Sequence, residues 1–155
     1  TSVPSPEGME AEIKRRLDLQ TQDSMQPFTV LDADGRPAGM TTYMNIDGKN
    51  RRVEIGSTWY ARRVQRTALN TECKLMLLRH AFETLDCIAV EFRTHWMNHQ
   101  SRTAIARLGA KQDGVLRNHQ RMPDGSFRDT VVFSIIASEW PTVRAHLQFQ
   151  LDRPR

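Results

Sequence analysis

At 155 residues and 39% hydrophobic content, the chain has room for one ordinary domain, which buries roughly two-thirds of the surface its unfolded form exposes. A balance of 22 Lys+Arg against 18 Asp+Glu leaves a net charge of +4, too mild by itself to name a nucleic-acid or membrane partner. No apolar run approaches the ~18 residues of a membrane span, and the two cysteines, Cys73 and Cys87, would stand about 20 Å apart on one helix, which argues against a disulfide scaffold.

Ser5-Pro6-Glu7 reads as a helix start: a cap residue, a proline suited to the first helical position and an acid in the first turn. Met9, Ile13 and Leu17 then recur on one side among charged neighbours, which predicts an amphipathic helix that fades before Pro27. From Phe28 the period becomes two. Phe28 to Leu31, Met40 to Ile46 and Arg52 to Tyr60, separated by turns at Asp32–Gly35 and Asp47-Gly48, predict a meander of antiparallel strands. Regular alternation along the third strand puts Val53, Ile55, Ser57 and Trp59 on one face and Glu54, Gly56, Thr58 and Tyr60 on the other.

The polar loop Ala61 to Asn70 leads into a helix over Thr71 to Leu85 with Leu75, Leu78, Phe82 and Leu85 as its apolar stripe. Ile88 to Thr94 alternates as a strand, so strand, helix and strand follow as in a right-handed crossover. Asn98 is placed to cap the next helix, which carries Ser101, Ala104, Ile105 and Leu108 on its inner side and stops at Gly109. Val115 to Gln120 and Phe127 to Ile136 form a hairpin turned by Met122-Pro123-Asp124-Gly125, and a last helix from about Ser138 carries Trp140, Val143, Leu147 and Leu151. No repeat or second domain is visible, so the expected class is a single α+β domain over residues 1–155.

His80, His95, His99, His119 and His146 are scattered without the spacing or carboxylate company of a metal site, and no metal is expected. GxSxG, P-loop and GxGxxG patterns are absent, which argues against hydrolase, NTPase and dinucleotide-enzyme readings. The informative stretch is Gln65-Arg66-Thr67-Ala68-Leu69-Asn70. Lying between a strand and a helix, its backbone N–H groups and the helix dipole converge on one place, which suits a phosphate. Around it Arg36, Lys49, Arg51, Arg52, Arg62, Arg63 and Arg66 crowd against only Asp47 and Glu54, either a solvated basic face or an anion-attracting one.

This order of elements resembles a GNAT N-acetyltransferase domain, whose phosphate loop runs Q/R-x-x-G-x-G/A. Gln65 fits its first position, while Ala68 and Asn70 replace the two small residues. Asn98-His-Gln-Ser101, continued to Leu108-Gly109-Ala110, resembles the N-x-x-S-x-x-x-x-x-x-L-G-F/A signature of the same superfamily. Glu54-Ile55-Gly56 followed by Trp59 is similar to the ribosomal-protein N-terminal, or Rim-type, acetyltransferase branch. The resemblance covers about Phe28 to Ile136. The family usually opens with a strand and a helix before the segment similar to Ser2 to Leu17, and neither is found here, so part of the acceptor pocket is expected to lie outside this sequence.

The resemblance implies a GNAT fold, a mixed and mostly antiparallel sheet flanked by helices, in which two central strands splay into a V that holds the cofactor. It implies acetyl transfer from acetyl-CoA to a primary amine, a protein amino terminus or a small amine, by direct attack in a ternary complex. Cofactor-binding positions carried over are Trp59, Tyr60, Ala61 and Arg62 for the pantetheine arm, Gln65, Arg66, Thr67, Ala68, Leu69, Asn70 and Thr71 for the diphosphate, and Asn98 and Ser101 on the following helix. Glu54 is the candidate base and Ser101 the candidate donor to the leaving thiolate. Each has a structural alternative: strand packing for Trp59 and Tyr60, pairing with Arg51, Arg52 or a neighbouring strand for Glu54, and helix capping for Asn98 and Ser101.

Unpaired thiols and the lack of a leader-like start point to the cytoplasm. The oligomeric state is open, a homodimer included. Two other readings stay in view: a non-catalytic module that binds an acyl-CoA or a protein on the same fold, and a nucleic-acid footprint suggested by a pI near 9.5. The second is ranked last, because no RNP1-like aromatic motif is present and the basic cluster brackets a loop already suited to phosphate.

Overall fold

The protein is described here by a computed structural model covering residues 3–153. Its elements run α1 (Met9–Thr21), β1 (Met25–Leu31), β2 (Pro37–Asp47), β3 (Arg52–Tyr60), α2 (Leu69–Arg79), β4 (Ala89–His95), α3 (His99–Arg107), β5 (Lys111–Arg121), β6 (Phe127–Ile136) and α4 (Trp140–Asp152). The strands form one sheet in the order β1-β2-β3-β4-β6-β5. Only β3 and β4 run parallel, as the intervening α2 crossover requires; every other neighbouring pair is antiparallel.

One face of this sheet carries the core. Tyr43, Val53, Ile55, Val90, Phe92, Val131, Phe133 and Ile135 project from alternate strand positions onto Leu75, Leu78 and Phe82 from α2 and the turn after it, and onto Trp140, Val143 and Leu147 of α4. Leu78, Val90, Val131, Ile135 and Leu147 are all fully excluded from water, each worth about 1.5–3 kcal/mol of transfer free energy. Pro27, unable to donate to a ladder, sits on edge strand β1, where that costs least. The β5–β6 hairpin closes through Gly125, whose φ of +84° needs no Cβ.

Several expectations from periodicity hold, and four elements are corrected. β3 and β6 occupy the expected residues, while β1 and β5 begin three and four residues earlier, at Met25 and Lys111, where pairing extends the ladder beyond the apolar pattern. Helix α2 begins at Leu69 rather than Thr71, ends at Arg79 and passes into a π-helical turn, His80–Thr84, so Leu85 drops out of the apolar stripe and is exposed. On α1 the expected stripe is also absent. Ile13 and Leu17 face solvent, and the buried side chain is Arg16, fully excluded from water. Among the described residues no helix is long and apolar enough to cross a membrane.

Candidate active site

Strands β3 and β4 pair only at Arg52↔Ala89, Val53↔Val90 and Glu54↔Glu91. Beyond that point Ile55–Tyr60 keep β2 as their only strand partner and Phe92–His95 keep only β6, so the parallel pair opens into a V with unpaired backbone along both arms. The β3 arm is also bulged. Met40 faces Trp59 and Thr42 faces Gly56, three steps along β3 for two along β2, and Ser57 at the bulge takes a left-handed φ of +47°.

The bulge overturns the simple alternation expected for this strand. Met40, Thr42 and Met44 share one sheet face, and their partners Trp59, Gly56 and Glu54 share it with them. Thr58 instead rejoins the face of Ile55, where its hydroxyl meets Lys74 of α2 at 3.0 Å and Thr41 at 2.8 Å. Tyr60 lies on that face too, its hydroxyl against the Cys73 thiol, and burial raises its pKa. Tyr60 Oη and Trp59 Nε1 are both buried without a hydrogen-bond partner among the described residues.

After Tyr60 the chain turns tightly. Ala61 N–H donates to the Ala38 carbonyl at 2.8 Å, Arg62–Val64 form a single 3-10 turn, and the Gln65 amide donates back to the Tyr60 carbonyl at 2.9 Å. Thr67 braces the entry to α2, donating to the Val64 carbonyl at 2.7 Å and accepting from Leu69 N–H at 3.3 Å. The backbone N–H groups of Arg66, Thr67, Ala68, Asn70 and Thr71 have no partner among the described residues, and they gather at the positive end of α2. Ala68 and Asn70, departures from the glycines of the motif, carry no backbone strain. Ala68 is right-handed at φ −65°, Asn70 is helical, and the left-handed residue of the turn is Arg66 at φ +62°.

Glu54 stands at the last paired position before the V, 5% exposed. Burial raises its pKa against the opposing pull of Asn45, whose amide donates to Oε2 at 2.6 Å, and of Arg93, whose Nε lies 3.7 Å away. Arg93 also donates to Glu91 at 3.0 Å. On the other arm, Asn98 caps α3 by accepting Ser101 N–H at 3.0 Å, which leaves its own amide NH2 unused. The half-buried Ser101 hydroxyl has no partner among the described residues, while Ala104, expected on the inner side, is exposed.

Glu54 thus stands where the opening begins, the backbone of Trp59 to Arg62 and the amide-lined turn follow along the β3 arm, and Asn98 and Ser101 lie on the helix that follows the other arm. Sequence reading missed Asn45, Glu91, Arg93, Lys74 and Arg16. The alternation Glu91-Phe92-Arg93 carried a signal for a charged face on β4, but Arg16 reads as one more solvent-facing cation on a charged helix.

A mixed sheet opened between its one parallel strand pair, with free amides at the head of the crossover helix, is the architecture of the GNAT fold. Residues 1–111 match the family model described as the acetyltransferase (GNAT) domain, and the chain belongs to that family. It is 31% identical over 107 residues to a Bacillus subtilis (strain 168) protein named "Putative ribosomal N-acetyltransferase YdaF", a match covering 69% of this chain and 57% of that protein. Among solved structures it is similar to a GCN5-related N-acetyltransferase from Brucella melitensis, at 33% identity and a TM-score of 0.84 over 96% of this chain and 67% of that one. It is also similar to Mycobacterium smegmatis RimJ in complex with CoA-disulfide, at 26% identity and a TM-score of 0.77 over 94% of this chain and 68% of that one.

Proposed function

We propose that this chain, acting as one domain over residues 1–155, transfers an acetyl group from acetyl-CoA to a primary amine by direct attack within a ternary complex. The observation that carries the reading is the separation of β3 from β4 after Glu54↔Glu91, which leaves backbone donors and acceptors unpaired along the strand that leads to the bare amides of Arg66, Thr67, Ala68, Asn70 and Thr71. Those amides fit a diphosphate: neutral donors at a helix head, with the exposed guanidinium of Arg66 adjoining. Acetyl-CoA, when bound, supplies an acetyl group activated as a thioester.

The protein's part is mostly positioning, and holding two reactants in an attack geometry removes about 7–11 kcal/mol of barrier. The free edge over Trp59, Tyr60, Ala61 and Arg62 orients the pantetheine arm, and a backbone N–H there donates to the thioester oxygen as charge develops on it. The amides from Arg66 to Thr71, with Gln65 and Leu69 shaping the turn, hold the diphosphate, and the unused amide of Asn98 binds the arm from the other side. Glu54 takes a proton from the amine, directly or through water, and the Ser101 hydroxyl supplies or relays one to the departing thiolate, taking its replacement from water. Each such transfer contributes about 10²–10⁴-fold.

Likeness to YdaF, named as a ribosomal N-acetyltransferase, makes a ribosomal-protein amine, its amino terminus included, the first acceptor to test, with small amines second. Calorimetric titration with acetyl-CoA, paired with thiol-release assays over peptides, polyamines and aminoglycosides, tests the proposal. Binding with turnover on at least one amine is the expected result. Binding without turnover on all of them assigns the chain to a non-catalytic acyl-CoA module, and no binding removes the reading altogether.

A further inference from the structure

Helix α1 inverts the ordinary pattern of a surface helix. Its apolar residues Ile13 and Leu17 face water, and the one side chain it buries completely is that of Arg16. Inside, the guanidinium donates from Nε to Glu12 at 2.7 Å, from Nη1 to the Thr42 hydroxyl at 2.7 Å, and from Nη1 and Nη2 to the Ser57 carbonyl at 3.1 and 3.2 Å. Glu12 supplies the counter-charge. Hydrogen bonding to Arg15, and then to Arg16, outweighs its burial and holds its carboxyl down to about 2.

Ser57 is the residue at which β3 bulges, in a left-handed conformation that a side chain disfavours. A carbonyl at a bulge falls out of the regular ladder, and Arg16 meets this one with two N–H bonds. Thr42, the third partner, stands on β2 opposite Gly56, the residue before the bulge. One fork therefore ties together both strands that define the irregularity. Stability is a poor explanation for such a device, since a buried ion pair is often no better than apolar packing of the same volume. What the bulge changes is direction: beyond it Thr58 and Tyr60 turn toward α2, Trp59 turns to the Glu54 face, and the free edge of the V takes its pitch.

From this we infer that Arg16 is a positioning residue, which fixes the β3 bulge and through it the backbone edge on which acyl transfer takes place. The inference rests on the function proposed above. Arg16→Met is expected to stay folded, to raise the acetyl-CoA dissociation constant and lower turnover by about tenfold or more, and to speed hydrogen exchange of the Gly56–Tyr60 amides. Adding Ser57→Gly to that variant should recover most of the lost turnover, because glycine holds a φ of +47° without help. A purely structural role for Arg16 would not respond to a change at Ser57 alone. If Arg16→Met does not fold, Thr42→Val, which removes one partner of the fork, carries the test, with a smaller loss and the same recovery.

Turnover within twofold of the unmodified protein in the folded variant, or no recovery on adding Ser57→Gly, overturns the inference. If the unmodified protein neither binds acetyl-CoA nor releases thiol, it is the proposed function that fails. Hydrogen exchange then decides the clamp alone: unchanged exchange over Gly56–Tyr60 in Arg16→Met removes it.

Discussion

Glu54 on β3 and Glu91 on β4 are the last cross-strand partners before the strands part, so two carboxylates stand side by side at the apex of the opening. Their environments push them apart. Burial would raise Glu91, but hydrogen bonds from Arg52 and Arg93 override it and leave its pKa lowered, whereas at Glu54 burial prevails and the pKa is raised. Under the proposed function, Glu91 is the fixed charge of the pair and Glu54 the group that exchanges protons.

Glu54→Gln is expected to lower turnover by about 10²–10⁴-fold with acetyl-CoA affinity nearly intact. In the unmodified protein the rate should fall as pH drops through the raised pKa of Glu54, above the ordinary glutamate range near 4.3, and the variant should lose that limb. A pH–rate profile of thiol release measures both. Unchanged turnover removes Glu54 from the mechanism.

Ser101→Ala removes a hydroxyl that caps nothing, since the cap of α3 is the Asn98 side chain bonded to the Ser101 amide. The rate should therefore fall while the melting temperature barely moves. An equal rate in a normally folded variant leaves Ser101 without a part in the chemistry.

Asn98→Asp separates two roles of one residue. It keeps the oxygen that accepts Ser101 N–H but removes the amide NH2, so stability should hold while acetyl-CoA binding weakens; Asn98→Ala should lose about 1 kcal/mol of stability as well. Denaturant titration beside calorimetry distinguishes the pair, and equal affinity in Asn98→Asp would leave the residue as a cap alone.

Lys74 is buried with only the hydroxyls of Thr41 and Thr58 as partners among the described residues, and desolvation lowers its pKa to about 8. A base whose folded pKa lies below its unfolded value near 10.4 costs stability in full below about pH 8, and the cost fades as pH rises toward 10.4. Lys74→Met leaves the two threonines bonded to each other at 2.8 Å. It should stabilise the protein at pH 7 by on the order of 3 kcal/mol, with the difference shrinking toward pH 10.4 in thermal melts across that range. A gap that does not change with pH refutes the assignment.

Gly39 allows β2 and β3 to close beside the bulge, since a Cβ there would meet the Trp59 carbonyl at 2.2 Å. Gly39→Ala forces backbone apart and should cost about 1–3 kcal/mol in urea titration, with acetyl-CoA binding impaired in what still folds. A neutral result would show that the strands have slack the geometry denies.

Much of this protein is legible along the chain. Alternation found β3 and β4, and their connection through a helix required the two to be parallel. Asn98 was readable as a cap and Gln65 to Asn70 as a turn at a helix head, because caps and turns are made by neighbours in sequence. The bulge at Ser57 and the burial of Arg16 were not readable. Each exists only because residues from α1, β2 and β3, up to 41 positions apart, meet in one place. Periodicity assigns a side chain to a face; only the packed sheet decides where a strand slips by one residue, which carboxylate loses its water, and which cation is drawn inside to hold the slip in place.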